Sequence, residues 1–208
     1  IDFSNANGES TISVSNNDVI GSNGKDATEK ENGGAGGAGI KGSSATTVDA
    51  GSNATIKGGN GGNAQTGTGG NGGSGIEGGK ATVSGAASIT GGNGGNASSG
   101  TGGNGGTGVN GTVSSSGSGN VSGGNGGNGA AAGGAGGSAG TSGGTHGAAG
   151  STHIHQWTYF TEGNVIKAVC VNTKNPCNYA TQSLLLQLNV ATPVAFSGQP
   201  YANAKVDD

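Results

Sequence analysis

The stretch Gly58-Gly59-Asn60-Gly61-Gly62-Asn63 decides how the rest of this chain is read. It returns as Gly91-Gly92-Asn93-Gly94-Gly95-Asn96 and as Gly123-Gly124-Asn125-Gly126-Gly127-Asn128, and a second series in the same GGx phase begins at Gly33, Gly69, Gly102 and Gly133. A side chain only at every third residue leaves two bare backbone faces, so neighbouring segments can approach almost to contact. A period of three suits an extended polyproline-II-like helix, which has no internal hydrogen bonds. Ordering so much glycine costs about 1–2 kcal/mol per residue. Hydrogen bonds between adjacent glycine legs, helped by Cα–H···O contacts, are the available offset. A collagen triple helix is excluded, because the chain has three prolines and no sustained G-X-Y tract.

Working outward, apolar residues recur between the glycine legs. Ile40, Ile76 and Val109 form one series with spacings of 36 and 33, and Ile56, Ile89 and Val121 another with spacings of 33 and 32. Val48, Val83 and Val113 read as a third. A fixed period in the thirties means stacked units that bury their apolar faces only against their neighbours. The apolar positions are mostly β-branched and in short runs, which reads as strands. Two architectures fit. Short strands stack into a β-solenoid with the GGx legs as excursions, or the legs pack as a polyglycine-II bundle whose ends the apolar residues close; a hybrid also satisfies the pattern. The expected fold class is an all-β or irregular repeat protein: a glycine-rich solenoid of short strands with polyglycine-II legs, plus a small C-terminal β module.

The chain divides into three by composition. Residues 1–32 form a polar leader with one strand signal, Ser10-Thr11-Ile12-Ser13-Val14-Ser15, followed by the turn Asn16-Asn17-Asp18. That strand reads as the first rung of the repeat or as an arm that pairs with a neighbouring subunit, the first being more economical. Residues 33–150 are the repeat array. Residues 151–208 hold the Trp, all three Tyr, all three Pro and both Cys. Strands are expected there around Gln156–Phe160, Val165–Val169 and Ser183–Leu188. A module this short is marginal alone, so it is expected to dock on the array's end or to oligomerise.

Glycine supplies 52 of the 208 residues and charged residues 9%, against ordinary usage of about 7% and about 25%. Such composition often means disorder, but a net charge of −3 is modest and the repeats keep a fixed grammar, so an ordered repeat is expected. The eight basic residues are scattered lysines with no aromatic platform beside them, which argues against nucleic acid. No apolar run reaches the ~18 residues a transmembrane helix needs. The chain contains no methionine and starts at Ile1, which reads as a processed mature product or a fragment, signal-peptide removal being the simplest route.

Candidate chemistry is sparse. Cys170 and Cys177 flank a short turn-rich loop and read as a disulfide of an oxidising compartment, or else as two free thiols. His153 and His155 share one side of a strand, so both imidazoles can meet one transition-metal ion; the plainer reading is two exposed strand histidines. Trp157, Tyr159 and Phe160 are candidates for binding or assembly. The acidic residues form no pair placed by the repeat, and no nucleophile sits beside a base, so no enzyme is expected. Asn53, Asn96, Asn110 and Asn120 begin N-glycosylation sequons, about as many as chance gives in this composition.

The TV…SI…GGNGG phrase over residues 40–130 resembles glycine-rich passenger segments of bacterial autotransporter adhesins. The GGx legs are similar to the polyglycine-II sandwiches of tail-fibre tip adhesins from T-even-like phages, whose variable loops would correspond to Ala64–Thr68 and Ala97–Thr101. They also resemble the polyglycine-II bundles of springtail antifreeze proteins. The His153-Ile154-His155 pair resembles the axial metal pairs of trimeric phage fibres and spikes. These likenesses imply an extracellular or phage-borne, non-catalytic protein that forms or tips a fibre and associates with itself or with a cell-surface ligand. A phage receptor-binding adhesin and an ice-binding protein are the alternatives.

Overall fold

The computed structural model describes residues 1–28, 31–140, 144–152, 157–162, 165–170 and 186–187. Among these there is no helix, and the repeat is a parallel β-solenoid. Its first rung carries β1 (Asp2–Phe3), β2 (Ser10–Val14) and β3 (Asp18–Ile20). The second carries β4 (Ile40–Gly42), β5 (Thr46–Ala50) and β6 (Thr55–Lys57). The third has β7 (Ile76–Gly85) and β8 (Ser88–Thr90), and the fourth β9 (Val109–Gly117) and β10 (Asn120–Ser122). One sheet stacks β3, β6, β8 and β10, and the other stacks the remaining strands, every pairing parallel.

The apolar columns follow from that register. Ile40 pairs with Ile76 and Ile76 with Val109. Ile56 pairs with Ile89 and Ile89 with Val121. These residues close between the two sheets with almost no solvent exposure, joined by Val48, Ala50, Ala81 and Val83. Branched side chains stacked in file pack well on a pleated surface, which is why Val and Ile occupy these positions. Gly39, Gly75 and Gly108 join each leg to its strand, and a methyl there would press on Ile56, Ile89 and Val121 in turn.

The expected third column is corrected. Val48 pairs with Ala81, and Ala81 with Val113, whereas Val83 pairs with Ala50 and Ser115. The cause is the unequal length of the bend within each rung: Lys41 and Thr47 stand six residues apart, their partners Glu77 and Lys80 three, and Asn110 and Thr112 two, with Gly78 and Gly79 at left-handed φ values of 80° and 75°. Glycine adopts that conformation without a Cβ penalty. Val83 lies two residues past Ala81, one inward position beyond the partner of Val48.

From each rung the chain leaves the strands, runs out along one glycine leg and returns along another. The outgoing layer comprises residues 21–27, 58–64, 91–97, 123–129 and 145–151, and the returning layer 33–39, 69–75, 102–108 and 133–139. Both architectures inferred from the sequence are therefore present, a strand solenoid on one side and a two-layer polyglycine-II bundle on the other. The first leg falls inside the polar leader, and the fifth follows the fourth rung without strands of its own.

The C-terminal segment contributes an antiparallel sheet of β11 (Trp157–Glu162), β12 (Val165–Cys170) and β13 (Leu186–Gln187).

Candidate functional site

The GGx triplet has three N–H groups, and the bundle gives each a separate destination. The first glycine donates along the stack, to the equivalent leg one turn on: Gly58 to Thr90 at 2.9 Å, Gly61 to Asn93 and Ala64 to Asn96 at 2.8 Å. The second donates across the bundle. Gly34 donates to Lys25, Gly62 to Gly34, Gly70 to Gly62, Gly95 to Gly70, Gly103 to Gly95, Gly127 to Gly103, Gly134 to Gly127 and Gly150 to Gly134, all at 2.8 Å. A parallel zigzag runs from Ser22 to Gly147. Each peptide in it both accepts and donates, so the bonds polarise one another.

The third N–H faces outward, and in the outgoing layer a side chain takes it. Asn60 N–H donates to Asn23 Oδ1, Asn93 to Asn60, Asn125 to Asn93 and Ala148 to Asn125, at 2.9–3.0 Å. A second file links Asn63 to Asp26, Asn96 to Asn63, Asn128 to Asn96 and Ser151 to Asn128, at 2.6–2.9 Å. Asparagine suits this place because its carboxamide oxygen reaches one turn up, while the amide nitrogen stays outside. The two files border a trough of about 520 Å³ with Gly24, Gly61, Gly94 and Gly126 along its floor.

Glycine at the first two positions is a steric requirement. A methyl on Gly61 would overlap the carbonyl of Gly70 in the opposite layer, and one on Gly62 the carbonyl of Lys25 in the leg below. Apart from Ala27, Ala64, Ala97 and Ala139, each at the last first-glycine position of its leg, the exceptions lie at the two ends of the stack. Ser22 and Lys25 occupy second-glycine positions in the first leg, below which no leg stands among the described residues. His146 and Ala149 occupy first-glycine positions in the last leg, opposite which no leg stands among the described residues. All four are exposed. The bundle is thus closed at both ends by the residues that break its glycine phase.

The residues singled out from the sequence fall elsewhere. Trp157, Tyr159 and Phe160 lie in β11, in register with Cys170, Ala168 and Lys167. Cys170 ends β12, while Cys177, His153 and His155 lie outside the described residues. Of the sequon asparagines, Asn96 is a ladder member, Asn110 lies in β9, and Asn120 opens β10. Asn53 sits exposed at φ 55° in the turn before β6, its Nδ2 donating to Asn16 Oδ1 at 3.3 Å. The asparagine ladder itself was missed as a site. Its signal was Asn at every x position of the outgoing GGx legs.

No described protein family matches this chain, and no curated protein does. One solved structure similar to it is the nine polyproline type II helical bundle springtail antifreeze protein from Granisotoma rainieri, described as having crystal waters that match the ice lattice. Identity is 30%, with 64% of this chain and 96% of that chain covered, and the TM-score is 0.20, too low to establish a shared fold.

Proposed function

We propose that this protein is an extracellular, non-catalytic structural element that serves as a stiff spacer or tip of a surface fibre, with residues beyond Thr152 supplying attachment or self-association. The observation that carries this reading is the pair of hydrogen-bond zigzags running unbroken through both glycine layers. Combined with the strand ladders, they make the array one cooperative stack in which each turn is held by its neighbours. A surface of amides, hydroxyls and glycine serves display and adhesion. Trp157, Tyr159 and Phe160 are the residues we assign to assembly, and His153 and His155 to a transition metal where copies meet.

Negative-stain microscopy of the full chain, beside a variant lacking residues 153–208, tests this. Discrete rods of one length are expected, with attachment and assembly lost in the truncated form. Attachment and assembly that survive the truncation would remove the role of the C-terminal segment, and flexible chains without rods would remove the spacer.

A second reading, recognition of ice, is favoured by the two-dimensional repeat of asparagines on the outgoing face. Thermal hysteresis with crystal shaping would support it, and ordinary freezing at high protein concentration would dismiss it.

A further inference from the structure

The two outer faces of the bundle share one backbone and differ in side chains. On the outgoing face, the x positions from the first leg to the fourth are Asn23, Asp26 and then asparagine throughout. On the returning face they are mixed: Ala35, Ala38, Asn71, Ser74, Asn104, Thr107, Ala135 and Ser138. The structural demand is the same on both, since each x N–H needs an acceptor one turn below. Asn32, Asn71 and Asn104 supply one to Thr68, Asn104 and Ala135. Above Ala35, Ala38, Ser74 and Thr107 no side-chain oxygen does so, and the legs form regardless. A continuous asparagine ladder is therefore more than the legs require, and its running unbroken in two files on the outgoing face alone points to a ligand.

The geometry points to that ligand's chemistry. Each carboxamide has its Oδ1 tied to the next turn, which fixes the plane and leaves Nδ2 without a protein acceptor among the described residues. The face is thus an ordered array of donors. Along the axis the donors repeat at the spacing of stacked turns, about 4.8 Å; across the trough they stand three residues apart, about 9 Å for an extended leg. The glycine floor lets a ligand lie flat between the files. We propose that the trough holds an extended glycan chain along the solenoid axis, its hydroxyl and ring oxygens accepting from Asn60, Asn63, Asn93 and Asn96. A peptide strand would need acceptors alternating with donors, and the carboxamide oxygens are already engaged. A polyphosphate chain would need cations, and the trough is lined by asparagine, glycine and Asp26 with no lysine among its lining residues.

This inference rests on the adhesive reading above and names the adhesive surface. The test is binding of the full chain to laminarin, xylan, and cellulose and chitin oligomers, with two double variants. Asn93→Ser with Asn96→Ser alters the trough; Asn71→Ser with Asn104→Ser removes as many ladder links from the opposite face and controls for folding. Saturable binding of at least one glycan is expected, weakened about tenfold or more in the trough variant, the loss of two or more hydrogen bonds, and unchanged in the control. No binding by the parent protein, or equal losses in the two variants, would overturn it. Ice shaping that only the trough variant loses, without glycan binding, would overturn it in favour of water. Rods that persist in micrographs while glycan binding is absent would sink this inference alone and leave the spacer standing.

Discussion

The backbone amide of Asn93 donates to Oδ1 of Asn60, one turn earlier in the solenoid, at 3.0 Å. Asn93 in its turn receives the amide of Asn125 at 2.9 Å. The same residue thus completes the leg below and is completed by the leg above. Asn93→Ala removes one acceptor from this file and is expected to cost about 1 kcal/mol, measured as a shift of the denaturation midpoint with unchanged slope.

Glycine positions should divide sharply by what surrounds them. Gly62→Ala drives a methyl into the carbonyl of Lys25, whereas at Gly51 the nearest atom to an added methyl is Ser84 Oγ at 3.8 Å. Gly62→Ala is expected to destabilise by about 3 kcal/mol or more, or to abolish folding. Gly51→Ala is expected to be neutral or to stabilise by up to about 1 kcal/mol. Circular dichroism melts of the two variants check the contrast.

Ile89 is fully buried between Ile56 and Val121 in its column. Ile89→Ala should cost about 2–5 kcal/mol through lost burial and the cavity left behind. Because each turn rests on its neighbours, hydrogen exchange should quicken first in the glycine legs of the adjoining turns.

The end residues should govern association through the glycine layers. Ser22 and Lys25 block the first leg, and His146 and Ala149 the last. Restoring glycine at all four positions is expected to raise self-association in sedimentation velocity, while the parent chain shows none that depends on these surfaces. An unchanged sedimentation profile would mean that these side chains do not act as stops.

Intact mass with and without reductant checks the bridge expected between Cys170 and Cys177. A gain of two hydrogens on reduction is the expected outcome.

The glycine legs and the Ile/Val columns were legible because each recurs at one place in a repeating unit. The first and last legs were hidden for a physical reason. Glycine is needed only where another leg stands close, and Ser22, Lys25, His146 and Ala149 face positions where none does among the described residues. The pairing of Val48 with Ala81 was hidden by unequal bends, six residues from Lys41 to Thr47 against three from Glu77 to Lys80, a difference that no spacing of apolar residues reveals. The asparagines were plain in the sequence. Their ladder was not, because each partner lies one turn away and depends on the stacking being known.

The ladder also bears on how the molecule ages. In an Asn-Gly pair the glycine nitrogen can attack the side-chain amide carbon, expelling ammonia to leave a succinimide that water then opens to aspartate or its isomer. Asn60-Gly61, Asn93-Gly94 and Asn125-Gly126 are such pairs. In the bundle the nitrogens of Gly61, Gly94 and Gly126 donate to Asn93, Asn125 and Ala148 at 2.8 Å, and the amides they would attack are pinned by the same three residues. Folding therefore acts as a chemical preservative: the intact stack keeps its asparagines, and a copy that unravels begins to lose them.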